Sequence, residues 1–563
     1  MNMPSLLRWH RSGILVLGLV LSCILGVAAV QTPNTEQTRP LASGFRIAGT
    51  VVNAVGGSPL ARARVTIFDA RNPQNTQWVI TSEGGRFEFK QLGAGKYELR
   101  GAKRGFITAD YEQHEQFSTA IVTGAGLDTE NLVLRLAPVA VLSGKVLDES
   151  GEPVRQALVS LYAQDRRAGV GRVQKIRTDR TDDQGSYEFT PLDAATYFLS
   201  VSATPWYAVH SASSLQQGAA STPAVVDQSL DVAYPVTYYK DATEPDEASP
   251  IPIRGGDRLE ADIHLSPVPA LHLLFHVPDN GKHGFTMPTL QQPAFDGMES
   301  VPANGGQMVS PGVFELTGVA AGRYTVRMPL SPPGEQNQWS EVEMDLTADG
   351  QELDASKGEP VSMVKASVKL LGQEALPRQL AVMLRNSKLR MVAYQEVNDK
   401  GEIEFQNVVP GRYEVLVQAP GKAYSVLHIS LESGQISGHI LNVAAGSSLT
   451  VSLSLVGSAM RVEGFVKRDG KAAPGAMVVL VPKNPESNRE LFRRDQSDLD
   501  GSFSLLGVIP GSYTVCAIEN GWDLDWAKPA VIAYYCQHGR PLVVTDRTEG
   551  TMRLADTVEV QLQ

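Results

Sequence analysis

The sequence predicts an all-β chain, a tandem array of about five β-sandwich modules. Three observations predict it. A sixteen-residue block recurs five times, apolar residues alternate within the block, and runs of helical period are nearly absent. The copies are GRFEFKQLGAGKYELR from Gly85, GSYEFTPLDAATYFLS from Gly185, GVFELTGVAAGRYTVR from Gly312, GEIEFQNVVPGRYEVL from Gly401 and GSFSLLGVIPGSYTVC from Gly501. In every copy a tyrosine lies twelve residues after the first glycine: Tyr97, Tyr197, Tyr324, Tyr413 and Tyr513. Copies stand roughly 90–130 residues apart, the size of a small domain rather than of a solenoid repeat.

Within a block, Phe87 and Phe89 and then Tyr97 and Leu99 alternate with polar residues, so each run shows one face of a half-buried strand. The two runs read as adjacent antiparallel strands. Gly95, Gly322, Gly411 and Gly511 mark a turn that other residues resist, and Ala195 departs from the pattern in the second copy. Upstream, SEGG, TDDQG, NDKG and DLDG have the composition of a tight hairpin, with NGGQMVSPG a looser version. Each tyrosine is expected to turn its ring inward and its hydroxyl to the backbone, like the tyrosine corner of other sandwiches.

The stretch before the block also repeats. GTVVNAVGGSPLARARVTIF from Gly49, GKVLDESGEPVRQALVSLY from Gly144 and GFVKRDGKAAPGAMVVLV from Gly464 share a strand, a Gly-rich turn, a proline and a second apolar strand. VKLLGQEALPRQLAVML from Val368 is a compressed form. With the D-x-x-G-x-F…G-x-Y block, this layout resembles the carboxypeptidase regulatory-like domain. The resemblance implies transthyretin-like, Ig-like sandwiches and is nearly silent on function, because such modules serve as accessories in unrelated proteins.

Residues 1–30 read as a signal peptide. Arg8 and Arg11 form its positive end, Gly13 to Val27 its apolar run, and Val27-Ala28-Ala29 a small-residue cleavage site. The run is shorter than the ~20 residues of a membrane span, which makes an uncleaved anchor the weaker reading. Lipidation at Cys23 is a third reading, against which the apolar run continues past the cysteine. Residues 31–43 form a polar leader. The modules follow as 44–137, 138–267 with an extended tail, a degenerate 268–356, a compact 357–456, and 457–563 with a Trp- and Tyr-rich insertion. Pro138, Pro267 and Pro269 stiffen junctions. The tail opening Pro235-x-x-Tyr238-Tyr239 looks like a decoration of secreted multi-module proteins of soil bacteria.

Signal cleavage takes the formal charge from −11 to −13, since it removes Arg8 and Arg11 and no acid. An acidic chain without basic clusters argues against nucleic acid as a partner, and no further long apolar run suggests a membrane span in the mature chain. Peptidase chemistry is not expected either. A zinc carboxypeptidase needs a His-x-x-Glu pair, and none of the ten histidines begins one. His-Glu-x-x-His and Gly-x-Ser-x-Gly are also missing. No catalytic residue, cofactor or metal is therefore expected. His272, His276 and His283 read as polar residues of a solvated face, and Asp495, Asp498, Asp500 and Gly501 as turn chemistry rather than a calcium loop.

Loop aromatics are what remain. Trp522, Asp523, Asp525 and Trp526 put two indoles and two carboxylates in five residues, a combination suited to stacking on sugars and bonding their hydroxyls. Against this stands a cap over the module's own end, packed on Tyr534 and Tyr535. Trp206-Tyr207 and Tyr234, Tyr238 and Tyr239 pose the same choice. Cys516 and Cys536 are left after signal cleavage and are either a disulfide or a buried free Cys516 at the end of its strand. The sequence reading is thus a non-catalytic exported binding or scaffold protein of the cell envelope, with glycan or envelope protein as target. Its location is periplasmic, outer-membrane-associated or extracellular. A structural spacer and an accessory subunit of a separate hydrolase or outer-membrane transporter are the alternatives.

Overall fold

A computed structural model describes residues 44–562 apart from 125, 211–226, 278–286, 302–304, 330–338, 355–357, 373–374, 432–433 and 546–548. The expected signal peptide, the leader, Cys23 and His283 lie outside the described residues. The chain is all-β, a tandem array of β-sandwiches, and its one α-helix among the described residues is Pro529–Tyr535.

The first sandwich shows the plan. One sheet orders Arg86–Leu92, Phe45–Asn53 and Leu132–Leu136, the last two parallel. The facing sheet runs Asn72–Ile80, Arg64–Asp69, Gly95–Ala102, with Ala109–Asp110 and Ile121–Thr123 on its far side. Ile47, Val51, Val65, Ile67, Phe87, Phe89, Leu99 and Leu134 fill the space between. Alternation along each strand sends these residues inward and their neighbours to water.

The two strands of the repeated block are not paired with each other, which corrects the expectation of an adjacent antiparallel pair. Arg86–Leu92 pairs with Phe45–Asn53, whereas Gly95–Ala102 pairs with Arg64–Asp69 in the opposite sheet. The same separation recurs in the second, third, fourth and fifth modules, although in the fifth Val558–Gln561 pairs with strands of both halves and joins them into one sheet. The block is therefore a crossing from one sheet to the other. The turn before it is no hairpin in four copies, as in the first, where Asn72–Ile80 and Arg86–Leu92 belong to different sheets, but in the third Gly305–Ser310 and Val313–Val319 pair as the expected hairpin.

Three backbone devices build the crossing. The first glycine has φ between +69° and +79° in all five copies. Its carbonyl accepts from Val51, Val146, Val277, Val368 or Val466 at 2.7–2.9 Å, fastening the turn to the first strand. A Cβ on Gly85 would lie 2.6 Å from the Val51 carbonyl, so a side chain is excluded by contact as well as by φ. Six residues later Gln91, Gly318, Asn407 and Gly507 are also left-handed, with φ of 58–74°, and Pro191 takes that place in the second copy. Finally the tyrosine hydroxyl donates to the carbonyl four residues back: Gly93, Asp193, Ala320, Val409 and Ile509, at 2.6–3.2 Å. All five rings are buried. Burial raises every one of these phenols, Tyr197 and Tyr513 to about 12.

Gly95, Gly322, Gly411 and Gly511 do not have positive φ, a second correction. A Cβ on Gly511 would meet the Tyr513 ring at 3.3 Å, so that glycine makes room for its tyrosine, whereas at Gly95, Gly322 and Gly411 the ring would stand at ordinary contact distance, 3.5–3.9 Å.

Tyr413→Phe removes a 2.6 Å bond and leaves the Val409 carbonyl without its partner. The expected loss is about 1–2 kcal/mol, or roughly 4–15 °C in the transition of a module this size. Differential scanning calorimetry of the full chain reads it, and an unshifted thermogram would remove the hydroxyl from the account.

Candidate functional site

The Trp522–Trp526 segment lies between sandwiches rather than on open surface. Trp522 is 8% exposed and Trp526 6%. Trp522 stacks on His114 of the first module, with ring centroids 5.1 Å apart and planes 6° off parallel, and meets Phe117 at 5.5 Å. Trp526 packs edge-on against Phe492. The expectation that the two indoles offer a stacking face to solvent is corrected here: the loop has a neighbouring module to cover it. Tyr535 joins the same apolar cluster, whereas Tyr534 is exposed.

Arg494 organises the junction. Its guanidinium lies over Trp526 at 4.4 Å, Phe117 at 5.4 Å and Trp522 at 5.8 Å from the ring centroids. It pairs with Glu115 of the first module at 2.7 Å and donates to the Arg167 carbonyl of the second. A cation so enclosed by rings and a carboxylate is satisfied on all sides. Asp525 completes the contact with the second module, accepting from the Gly171 amide at 2.7 Å, while the Ala527 amide donates to the Gly169 carbonyl at 2.9 Å. Burial works against the Asp525 charge, but Lys528 and the Gly171 amide hold its carboxyl below the ordinary value. Asp523 faces solvent.

Of the aspartates around the last turn, Asp498 serves the same junction and Asp495 and Asp500 brace their own module. Asp498 pairs with Lys96 at 2.5 Å and accepts from the Ala120 amide at 3.0 Å. Asp495 accepts from the Ser504 amide and Asp500 from the Ser502 amide. Burial raises Asp495 to about 6. The last sandwich is thus fastened to the first across more than 370 residues of chain. Beside this contact the two modules enclose a groove of about 1040 Å³, edged by Phe117, Phe465, Arg461, Arg553, Glu98 and Asp498.

Cys516 and Cys536 form a disulfide, which ties the strand Gly511–Ile518 to the end of the helix. Cys516 is also buried, so that part of both sequence readings describes it. Tyr234 and Tyr238 are buried, and Trp206, 82% exposed, is the most open indole among the described residues. The hydroxyls of Tyr207 and Tyr234 both donate to Glu149. His276 faces Glu352 at the surface. His272 is drawn instead to Asp231 and His210.

Sequence reasoning missed Arg494, Glu115, His114 and Phe117. The run Tyr111–Phe117 has no counterpart in the repeat and is dense in aromatic and acidic residues, which is the signal that could have found it.

The model of the carboxypeptidase regulatory-like domain matches residues 46–129 and 141–266. The two matched stretches, which lie in the first and second sandwiches, are similar to that domain. No curated protein matches the sequence. Among solved structures, the Bacillus anthracis TIE protein is 12% identical over 73% of this chain and 73% of its own, with a TM-score of 0.16. The streptococcal ancillary pilin is 11% identical over 55% of this chain and 98% of its own, and the minor pilin of Streptococcus agalactiae 12% over 40% and 97%, both with a TM-score of 0.20. Superpositions at these scores carry no argument about activity.

A buried ionic cluster joins the fourth and fifth sandwiches. His439 Nε2 lies 3.4 Å from Glu414 and 3.3 Å from Glu490, and Arg385 pairs with Glu414 at 2.6 Å. Burial raises Glu490 to about 7. Burial pulls His439 down, but Glu414 and Glu490 outweigh it and raise the imidazole above its usual value. Glu490 and His439 hold protons more tightly folded than unfolded. Their stabilisation is complete below their unfolded pKa values and is lost as pH rises through neutrality. The melting temperature is expected to fall between pH 6 and pH 8, and to fall less in Glu490→Gln, whose amide mimics the protonated acid. A melting temperature that rises over this interval contradicts the assignment.

Proposed function

We propose that this protein is a non-catalytic exported scaffold of the cell envelope, which presents the groove between its first and last sandwiches to a carbohydrate or an envelope protein. One observation carries the reading: Arg494, Asp498 and Trp522 fasten the fifth module to the first, and a groove with polar walls and an aromatic edge runs beside that contact. Phe465 at its edge is 49% exposed, which leaves a face for stacking, and Arg461 and Arg553 offer donors to hydroxyl or carboxylate groups. A spacer has no need to bring its two ends together. The disulfide and the signal-like start of the sequence support export.

Glycan-array binding of the chain without residues 1–30, alongside a Phe465→Ala/Arg553→Ala variant, tests this. The expected result is binding to a defined glycan class that the variant loses at unchanged melting temperature. Absence of glycan binding together with failure to retain any envelope protein from a membrane extract would leave only the spacer.

A further inference from the structure

Outside the junction, two imidazoles and two carboxylates meet where the tail of the second sandwich crosses the start of the third. His210 follows the strand Ala195–Ser202 at some distance, Asp231 closes the short turn Gln228–Leu230, and His272 lies on the strand Leu271–His276. One Asp231 oxygen is 2.7 Å from His210 Nδ1, and the other is 2.7 Å from His272 Nε2. One donor atom from each of the three residues lies within 4.8 Å of the others. The other ring nitrogen of His272, Nδ1, faces Glu315 at 3.4 Å, and Glu315 accepts from the Gln307 amide at 2.9 Å.

This arrangement is built rather than incidental. The backbone is held at each donor: Val209 N–H donates to Leu230 O at 2.9 Å, Ala270 N–H to Asp231 O at 3.0 Å, and His272 N–H to Asp349 at 2.8 Å. The His210 side chain is 8% exposed and that of Glu315 1%. An Nδ1–H given to Glu315 leaves the His272 Nε2 lone pair pointing at Asp231, the way a carboxylate orients a metal-ligating histidine from behind. With neutral imidazoles the cluster carries two negative charges, which a divalent cation balances. Two imidazole nitrogens favour zinc-class ions over calcium or magnesium, which take oxygen donors.

We propose that His210, Asp231 and His272 bind a divalent transition-metal ion of the zinc class, joining the second sandwich to the third and leaving one coordination position to water. Zinc bonds of roughly 2.0–2.2 Å in a tetrahedron set donors about 3.3 Å apart, so the Asp231 oxygens retreat by about half an ångström on binding. The inference does not rest on the glycan or envelope-partner reading and survives its failure.

The test is zinc titration of the full chain, stripped of metal and followed by calorimetry, with Co²⁺ as a spectroscopic probe. One equivalent is expected to bind, to raise the melting temperature, and to give cobalt bands of a nitrogen- and oxygen-ligated site. His210→Ala/His272→Ala is expected to lose that equivalent, with affinity falling at least about a hundredfold. Glu490→Gln, which alters the other acidic cluster, is expected to retain it. X-ray absorption of zinc in the unaltered protein counts two imidazole neighbours and needs no variant, so a misfolded double variant leaves the question decidable. No bound equivalent, a zinc without imidazole neighbours, or unchanged binding in the folded double variant each overturns the site.

Discussion

A hydroxyl bonded to the carbonyl four residues behind it is the contact on which the five sandwiches depend. Each module must carry its chain from one sheet to the other within a few residues, and a crossing folded against the core shields carbonyls from water and would leave them without partners. The tyrosine resolves this from inside. Its ring adds apolar area to the core, and its hydroxyl reaches back into the crossing, to Gly93, Asp193, Ala320, Val409 or Ile509. The left-handed glycine twelve residues earlier fastens the other end of the block to the opening strand. Between these two points the register of both sheets is set.

Because each sandwich is closed in this way, its loops are free to make contacts outside it. The fifth module uses its aspartate turn and its Trp-rich insertion to hold the first and second. In the second module Tyr162 and Phe198 receive Phe295 of the third, and Tyr162 also donates to Glu299. Arg172 reaches the Leu389 carbonyl of the fourth, and the fourth and fifth share the Glu414, His439 and Glu490 cluster. Modules distant in sequence are thus neighbours in space, and Gly44–Gln563 behaves as one compact unit. Several of these contacts are ionic and enclosed, which makes removal of one partner costlier than the intact pair is stabilising.

The sandwich was legible in the sequence because the block is local. Alternating Phe87 and Phe89, the glycine at φ +71° and the inward tyrosine all fall within one short stretch of sequence. The sheet crossing was not, because period two describes a strand and not its partner, and Phe87 and Tyr97 face one core from either a hairpin or two sheets. The left-handed Gln91 and Asn407 give no strong local signal. The Trp522–Trp526 segment was recognisable as foreign to the repeat, but its surroundings were not: His114, Phe117 and Glu115 lie about 400 residues earlier. Burial of an exposed-looking loop by a distant module is a tertiary fact with no periodicity to announce it. His272 was noticed beside the wrong histidines for the same reason.

Spin labels at Arg62→Cys in the first module and Asp556→Cys in the fifth test the central claim that the sandwiches form one fastened body. In the chain without residues 1–30, which lacks Cys23, the native cysteines Cys516 and Cys536 are tied together, so that double electron–electron resonance reads the introduced pair alone. A single narrow distance distribution is predicted, broadening in Trp522→Ala/Trp526→Ala as the fifth module is released. A broad distribution in the parent chain, of the width expected for modules on flexible joints, would contradict the account.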